Sequence, residues 1–221
     1  MSISLRHERG FTLIELLVSM TITTIVLGGA VMMTSQVQQS FRRQIEESAG
    51  EQEGRYALEW ISRLIRAAGN NPFDLPTVVG GTAACPVAGT AYKWIAIDPD
   101  GDTVNNDVRL QADSNPPDGI LGGAGCNQAN EDVTVSFDPA TSSITFLDNN
   151  IGGAATVRTD AVINGLLFVF KDVNHQPTAN ELNIVYVETQ ITVRTRTINP
   201  ATLLPETRLL TQEVRLRGRN F

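Results

Sequence analysis

With 221 residues, 42% of them hydrophobic, the chain holds enough apolar material for one domain with a proper core. Its formal charge is −7, and an acidic body of this kind argues against nucleic acid as a partner. The chemistry-bearing residues are sparse: two histidines (His7, His175) and two cysteines (Cys85, Cys126), with no nucleophile elbow, phosphate loop or histidine–carboxylate cluster, so an enzyme is not expected.

Residues 1–10 form a short basic leader in which Arg6 and Arg9 flank His7 and which ends in Gly10. Phe11 to Met33 follow, 23 residues carrying one charge, Glu15. At about 1.5 Å per residue that run reaches roughly 34 Å, enough to cross a bilayer. A carboxylate in mid-membrane costs about 2.5–3.5 kcal/mol, so Glu15 is a functional candidate that needs a partner. The basic leader belongs on the cytoplasmic side, which puts everything after the span outside the inner membrane.

The segment Arg9-Gly10-Phe11-Thr12-Leu13-Ile14-Glu15-Leu16-Leu17 resembles the processing site of type IV pilins and type II secretion pseudopilins. The resemblance implies that a prepilin peptidase cuts between Gly10 and Phe11 and that Phe11 becomes the N-methylated terminus. It also implies that Glu15 meets the positive terminus of a neighbouring subunit during assembly. A desolvated carboxylate is tolerable when so paired. The implied partners are prepilin peptidase, other major and minor pilins, an inner-membrane assembly platform, and lipid before assembly. An ordinary secretory signal cut near Gly28-Gly29-Ala30 fits poorly, because the apolar run continues past that point and a glutamate sits near its start. A plain membrane anchor is the other alternative.

Gln36 to Ala68 contains no proline, and Ile45, Ala49, Tyr56, Trp60, Ile61, Leu64, Ile65 and Ala68 recur at three- and four-residue steps. That periodicity predicts that the helix continues as an amphipathic one, until Gly69-Asn70-Asn71-Pro72 stops it. Gly50 and Gly54 read as weak points costing up to about 1 kcal/mol each. Main pilins of the family usually carry a proline near the place held here by Met32. Residues 70–91 read as loop, and strands are expected at Tyr92–Ile97, Val108–Ala112, Val133–Phe137, Ile144–Leu147, Val162–Lys171, Leu182–Thr197 and Arg208–Arg217. Pro139 to Ser142 reads as a hairpin turn. The expectation is an α+β fold, one long helix laid on an antiparallel sheet. Its divisions are a leader (1–10), a membrane or filament-core helix (11–33), an amphipathic helix (34–68) and a periplasmic or extracellular β domain (69–221).

Cys85 and Cys126 would lie in an oxidising compartment, so a disulfide is expected, with two separate thiols as the alternative. Closing a loop of about 40 residues is worth roughly 4 kcal/mol on the chain-entropy model. Asp98, Asp100 and Asp102 alternate around Gly101, with Asp107 behind them. Oxygen ligands at alternate positions suit calcium, but Thr103 stands at the sixth position, where an EF-hand wants Gly, and no Glu stands at the twelfth. Two readings therefore stand, a calcium loop and a solvated acidic turn, and the partial motif favours the turn. No other cofactor is expected.

The ending Leu209 to Arg217 resembles the last strand of minor pilins of the PilW type and of the J-type pseudopilin of type II secretion. The expected role is a minor pilin that primes or caps a type IV pilus, anchored singly in the inner membrane and moving to the pilus or cell surface on assembly. The alternatives are a pseudopilin, or an adhesive module at a filament tip built on the long 98–130 loop.

Overall fold

The computed structural model describes residues 11–70, 77–78, 81–82, 85–86, 90–91, 94–114, 129–199 and 202–216. The chain divides into two compact units, one up to Ile45 and one from Glu46 onward. Helix α1, Leu13–Ala67, begins in the first and ends in the second.

In the first unit the helix is apolar and its large side chains are exposed, from Leu13 through Met33. It is long and apolar enough to cross a membrane. Its hydroxyls do not hang free: Ser19, Thr21, Thr23, Thr24 and Thr34 each donate to a backbone carbonyl three or four residues back, at 2.7–2.9 Å. Each of these five hydroxyls is thereby satisfied inside the helix, as a hydrocarbon environment demands.

The second unit is the α+β body. Strands β1 (Ile95–Ile97), β2 (Asp107–Gln111), β3 (Asp132–Asp138), β4 (Ser143–Asp148) and β5 (Thr156–Val157) make an antiparallel meander in chain order. Strands β6 (Ile163–Lys171), β7 (Tyr186–Ile198) and β8 (Pro205–Arg215) make a second antiparallel sheet in the same simple order. Alternation puts Val133 and Val135 of β3 into the core, beside Val108 and Leu110 of β2 and Ile144 and Phe146 of β4. Phe168, Ile191 and Val193 come in from the second sheet, and Ala57, Leu58, Ile61 and Ile65 of α1 join them. Trp60 and Leu64 flank this core half-buried, Trp60 meeting Phe146 edge to face at 6.3 Å.

The helix ends where the stop signal lies. Gly69 takes a left-handed φ of 81°, a conformation glycine adopts without steric cost. Its N–H donates to the Gln111 carbonyl at 2.9 Å, delivering the chain onto β2.

Three expectations are corrected. The buried seam of α1 runs through Gly50, Gly54, Ala57, Leu58, Ile61 and Ile65, whereas Ile45 and Tyr56 are 67% and 56% exposed. The glycines are the approach points of the second sheet: a Cβ on Gly54 would lie 2.6 Å from Leu210 Cδ1 and 2.8 Å from Val193 Cγ1. Secondly, the run expected as a strand from Leu182 opens instead as a 3-10 turn, Glu181–Asn183. The Asn180 side chain caps it by accepting from the Leu182 N–H at 3.0 Å, a local bond that competes with pairing. Thirdly, the segment read as loop contains two short antiparallel pairs, Thr77–Val78 with Thr90–Ala91 and Gly81–Thr82 with Cys85–Pro86. Cys126 and the side chain of Cys85 lie outside the described residues, and so does the expected disulfide. Tyr92, Lys93, Arg217 and the leader through Gly10 lie outside them too.

Candidate functional site

The first described residues form a compact hydrogen-bonded unit. Thr12 and Glu15 close a reciprocal box: the Thr12 N–H and hydroxyl both donate to Glu15 Oε2 at 2.9 Å, and the Glu15 N–H donates to Thr12 Oγ1 at 3.4 Å. This is the Thr-x-x-Glu capping pattern, which satisfies amide donors at a helix start. A carboxylate there also faces the positive end of the helix dipole. Phe11 stands just ahead of the box, 88% exposed. The sequence reading singled out Glu15 for its charge and missed Thr12, although the Thr-x-x-Glu spacing at the head of an apolar run is itself a sequence-level signal. Gly10, the residue expected to precede the cut, lies outside the described residues.

The acidic loop between β1 and β2 is the second place where expected residues meet. Asp98, Asp100 and Asp107 each bring a carboxylate oxygen to within 4.8 Å of the others. Asp102 is not among them; its Oδ1 accepts from the Val104 N–H at 2.7 Å. Asp98 turns inward to its own loop, accepting from the N–H groups of Gly101 and Asp102 at 3.0 Å and of Thr103 at 2.9 Å. Asp107, at the start of β2, is only 1% exposed. Burial, then the charge of Asp100, with Asp98 and Asp102 adding to it against one hydrogen bond from the Asp100 N–H, push its carboxyl up to about 6.

His175, expected in a solvated turn, sits in one with a φ of 58°. Its ring stacks on Tyr186 at 4.1 Å and its Nδ1 lies 3.0 Å from Glu213 Oε1. That arrangement braces a turn on a sheet edge.

Residues 5–31 match the prokaryotic N-terminal methylation motif. The match covers the basic leader, the Gly10–Phe11 junction, the Thr12–Glu15 box and the apolar helix as far as Val31. The methylation motif supports a type IV pilin-like protein, a structural subunit of the pilin or pseudopilin kind rather than an enzyme. It implies processing by prepilin peptidase and assembly with other pilins, and the apolar helix fits an anchor in the inner membrane. No curated protein and no solved structure matches the chain.

Proposed function

We propose that the chain is a minor pilin of a type IV pilus, a subunit that primes or caps assembly after cleavage between Gly10 and Phe11 and N-methylation of Phe11. The observation that carries this reading is the methylation motif leading directly into a capped apolar helix that keeps one carboxylate, Glu15, at its head. In the assembled state Glu15 would exchange its bonds to Thr12 for the charged terminus of the adjoining subunit, an ion pair that offsets the desolvation of both groups. The α+β body would lie outside the inner membrane and select neighbours. The C-terminal strand and the size of the loops favour a minor subunit over a major one.

Mass spectrometry of the N-terminus, on membrane and sheared-filament fractions of the native host, tests the proposal. A methylated Phe11 terminus in filaments supports a minor pilin. The same terminus confined to the envelope points to a pseudopilin of type II secretion. A terminus at Met1, or one following Ala30, overturns the processing scheme.

A further inference from the structure

Ten residues from Asp98 to Asp107 contain four aspartates and no basic residue. Clusters of this kind are common on protein surfaces as solvated turns, and the turn-forming bonds of Asp98 and Asp102 belong to that ordinary behaviour. Asp107 does not. Its side chain is packed at the root of the loop with 1% exposure, and its Oδ1 meets no donor among the described residues. Its other oxygen accepts a single 3.3 Å bond, from the Asp100 N–H. Removing a carboxylate oxygen from water without a partner costs several kcal/mol, and buried charges in proteins are paired or bound to metal. Here a carboxylate oxygen each of Asp98 and Asp100 lies within 4.8 Å of a carboxylate oxygen of Asp107. A cation is the partner that satisfies all three.

We infer that the β1–β2 loop is a calcium site built on Asp98, Asp100 and Asp107. Three carboxylates supply hard oxygen donors only, which selects calcium or magnesium over softer metals. Two oxygens across a calcium ion at about 2.4 Å stand about 4.8 Å apart, and calcium accepts irregular oxygen sets, whereas magnesium demands a near-ideal octahedron at about 2.1 Å. The oxygens here lie within 4.8 Å of one another on a loop that supplies them from positions one, three and ten.

The position gives the ion a structural task. In the same loop the Asn105 carbonyl accepts from the N–H of Phe168 on β6 at 2.7 Å. The Asn106 carbonyl accepts from the N–H of Phe137 on β3 at 3.1 Å. The loop is therefore a hydrogen-bonded bridge between the two sheets, with the fully buried Phe168 beside it. An ion that fixes Asp107 to Asp98 and Asp100 fixes this bridge, so calcium stabilises the body of the protein.

The test uses the full chain in detergent micelles, stripped of metal with chelator, and reads its thermal midpoint as calcium chloride is added. With a dissociation constant of about 0.1–1 mM, the range of extracellular modules, about 10 mM calcium raises Tm by roughly 3–10 °C. Magnesium chloride at the same concentration gives less than half that rise. Asp100→Asn, on the exposed side of the loop, raises the chelator Tm slightly, because it too removes a like charge from the cluster, and abolishes the shift. Asp107→Asn raises the chelator Tm, because it removes a buried charge from a like-charged group, yet falls below the parent in calcium. Glu59→Gln, an exposed carboxylate on α1, keeps the whole shift. No shift in the parent, equal shifts with both cations, or a shift retained by Asp100→Asn overturns the inference.

Discussion

The seam of α1 against the second sheet makes two chemically identical substitutions diverge. Glycine costs a helix interior about 1 kcal/mol relative to alanine, so propensity alone makes Gly50→Ala and Gly54→Ala equally stabilising. The structure separates them. A Cβ on Gly50 meets only the Arg194 carbonyl at 3.8 Å and Val193 Cβ at 4.0 Å, ordinary van der Waals contacts, and Gly50→Ala gains the full propensity of about 1 kcal/mol. A Cβ on Gly54 lands 2.6 Å from Leu210 Cδ1 and 2.8 Å from Val193 Cγ1. Leu210 is half-buried, and the end of its side chain can swing aside. Val193 cannot, being β-branched, 4% exposed and held in the central strand opposite Ile163 on one side and Arg208 on the other. Overpacking of this kind costs about 1–3 kcal/mol, which leaves Gly54→Ala a net loss of about 1 kcal/mol.

The two variants therefore differ by about 2 kcal/mol, or roughly 4–8 °C in Tm for a domain of this size. Thermal melts of the full chain followed by tryptophan fluorescence read the difference, since Trp60 sits on the same helix at its contact with Phe146. A Gly54→Ala midpoint equal to or above that of Gly50→Ala would refute the reasoning and return both glycines to the role of plain helix weaknesses.

Replacing Gly10 with Asp leaves an uncleaved membrane protein, and an unchanged mature mass would count against the assigned cut. Glu15→Ala is cut normally but recovered at least tenfold less in sheared filaments, whereas Glu15→Gln keeps the helix cap and is lost equally; normal recovery of the glutamine variant would mean that the cap, not the charge, is what assembly needs. On the second sheet Lys171 Nζ reaches Glu188 Oε2 at 2.5 Å and Glu213 Oε2 at 2.7 Å. The Lys171 ammonium holds the Glu188 carboxyl below its ordinary 4.5, so the stability it confers is present at neutral pH and lost as pH falls through that lowered value. Lys171→Met should cost roughly 1 kcal/mol at pH 7, and denaturation across a pH series should show the gap to the parent closing in acid; a gap independent of pH would assign the loss to packing alone.

Elements whose signal is local were legible. The helix start and stop, the alternation of Val133 and Val135, and the Asp138–Ser143 hairpin all follow from neighbours in sequence, and the structure has them within a few residues. The acidic loop was half legible. Alternating aspartates drew attention to Asp98, Asp100 and Asp102, but burial separates them: Asp107, nine residues after Asp98 and packed at the root of β2, joins the group while Asp102 caps the Val104 amide instead.

Gly50 and Gly54 mark the limit of local reading. Periodicity scores a glycine as the absence of a hydrophobic side chain, so the apolar face was drawn through Ile45 and Tyr56, the nearest large residues at suitable steps. What buries a helix face, however, is the distance at which its partner can approach, and here the partner of Gly54 is made by residues 139 and 156 positions later, Val193 and Leu210. Their contribution to the contact is size: a β-branched side chain and a leucine need the room that the missing Cβ of Gly54 leaves. The small residues continue as Ala57, and only beyond it, at Ile61 and Ile65, does the helix carry its own apolar bulk into the core. Around Gly54 the order is reversed, with a flat helix surface and side-chain bulk supplied by the sheet. Gly54 thus marks a close approach of another element while Gly50, four residues earlier, keeps room for a Cβ, and that difference, unlike propensity, predicts opposite signs for Gly50→Ala and Gly54→Ala.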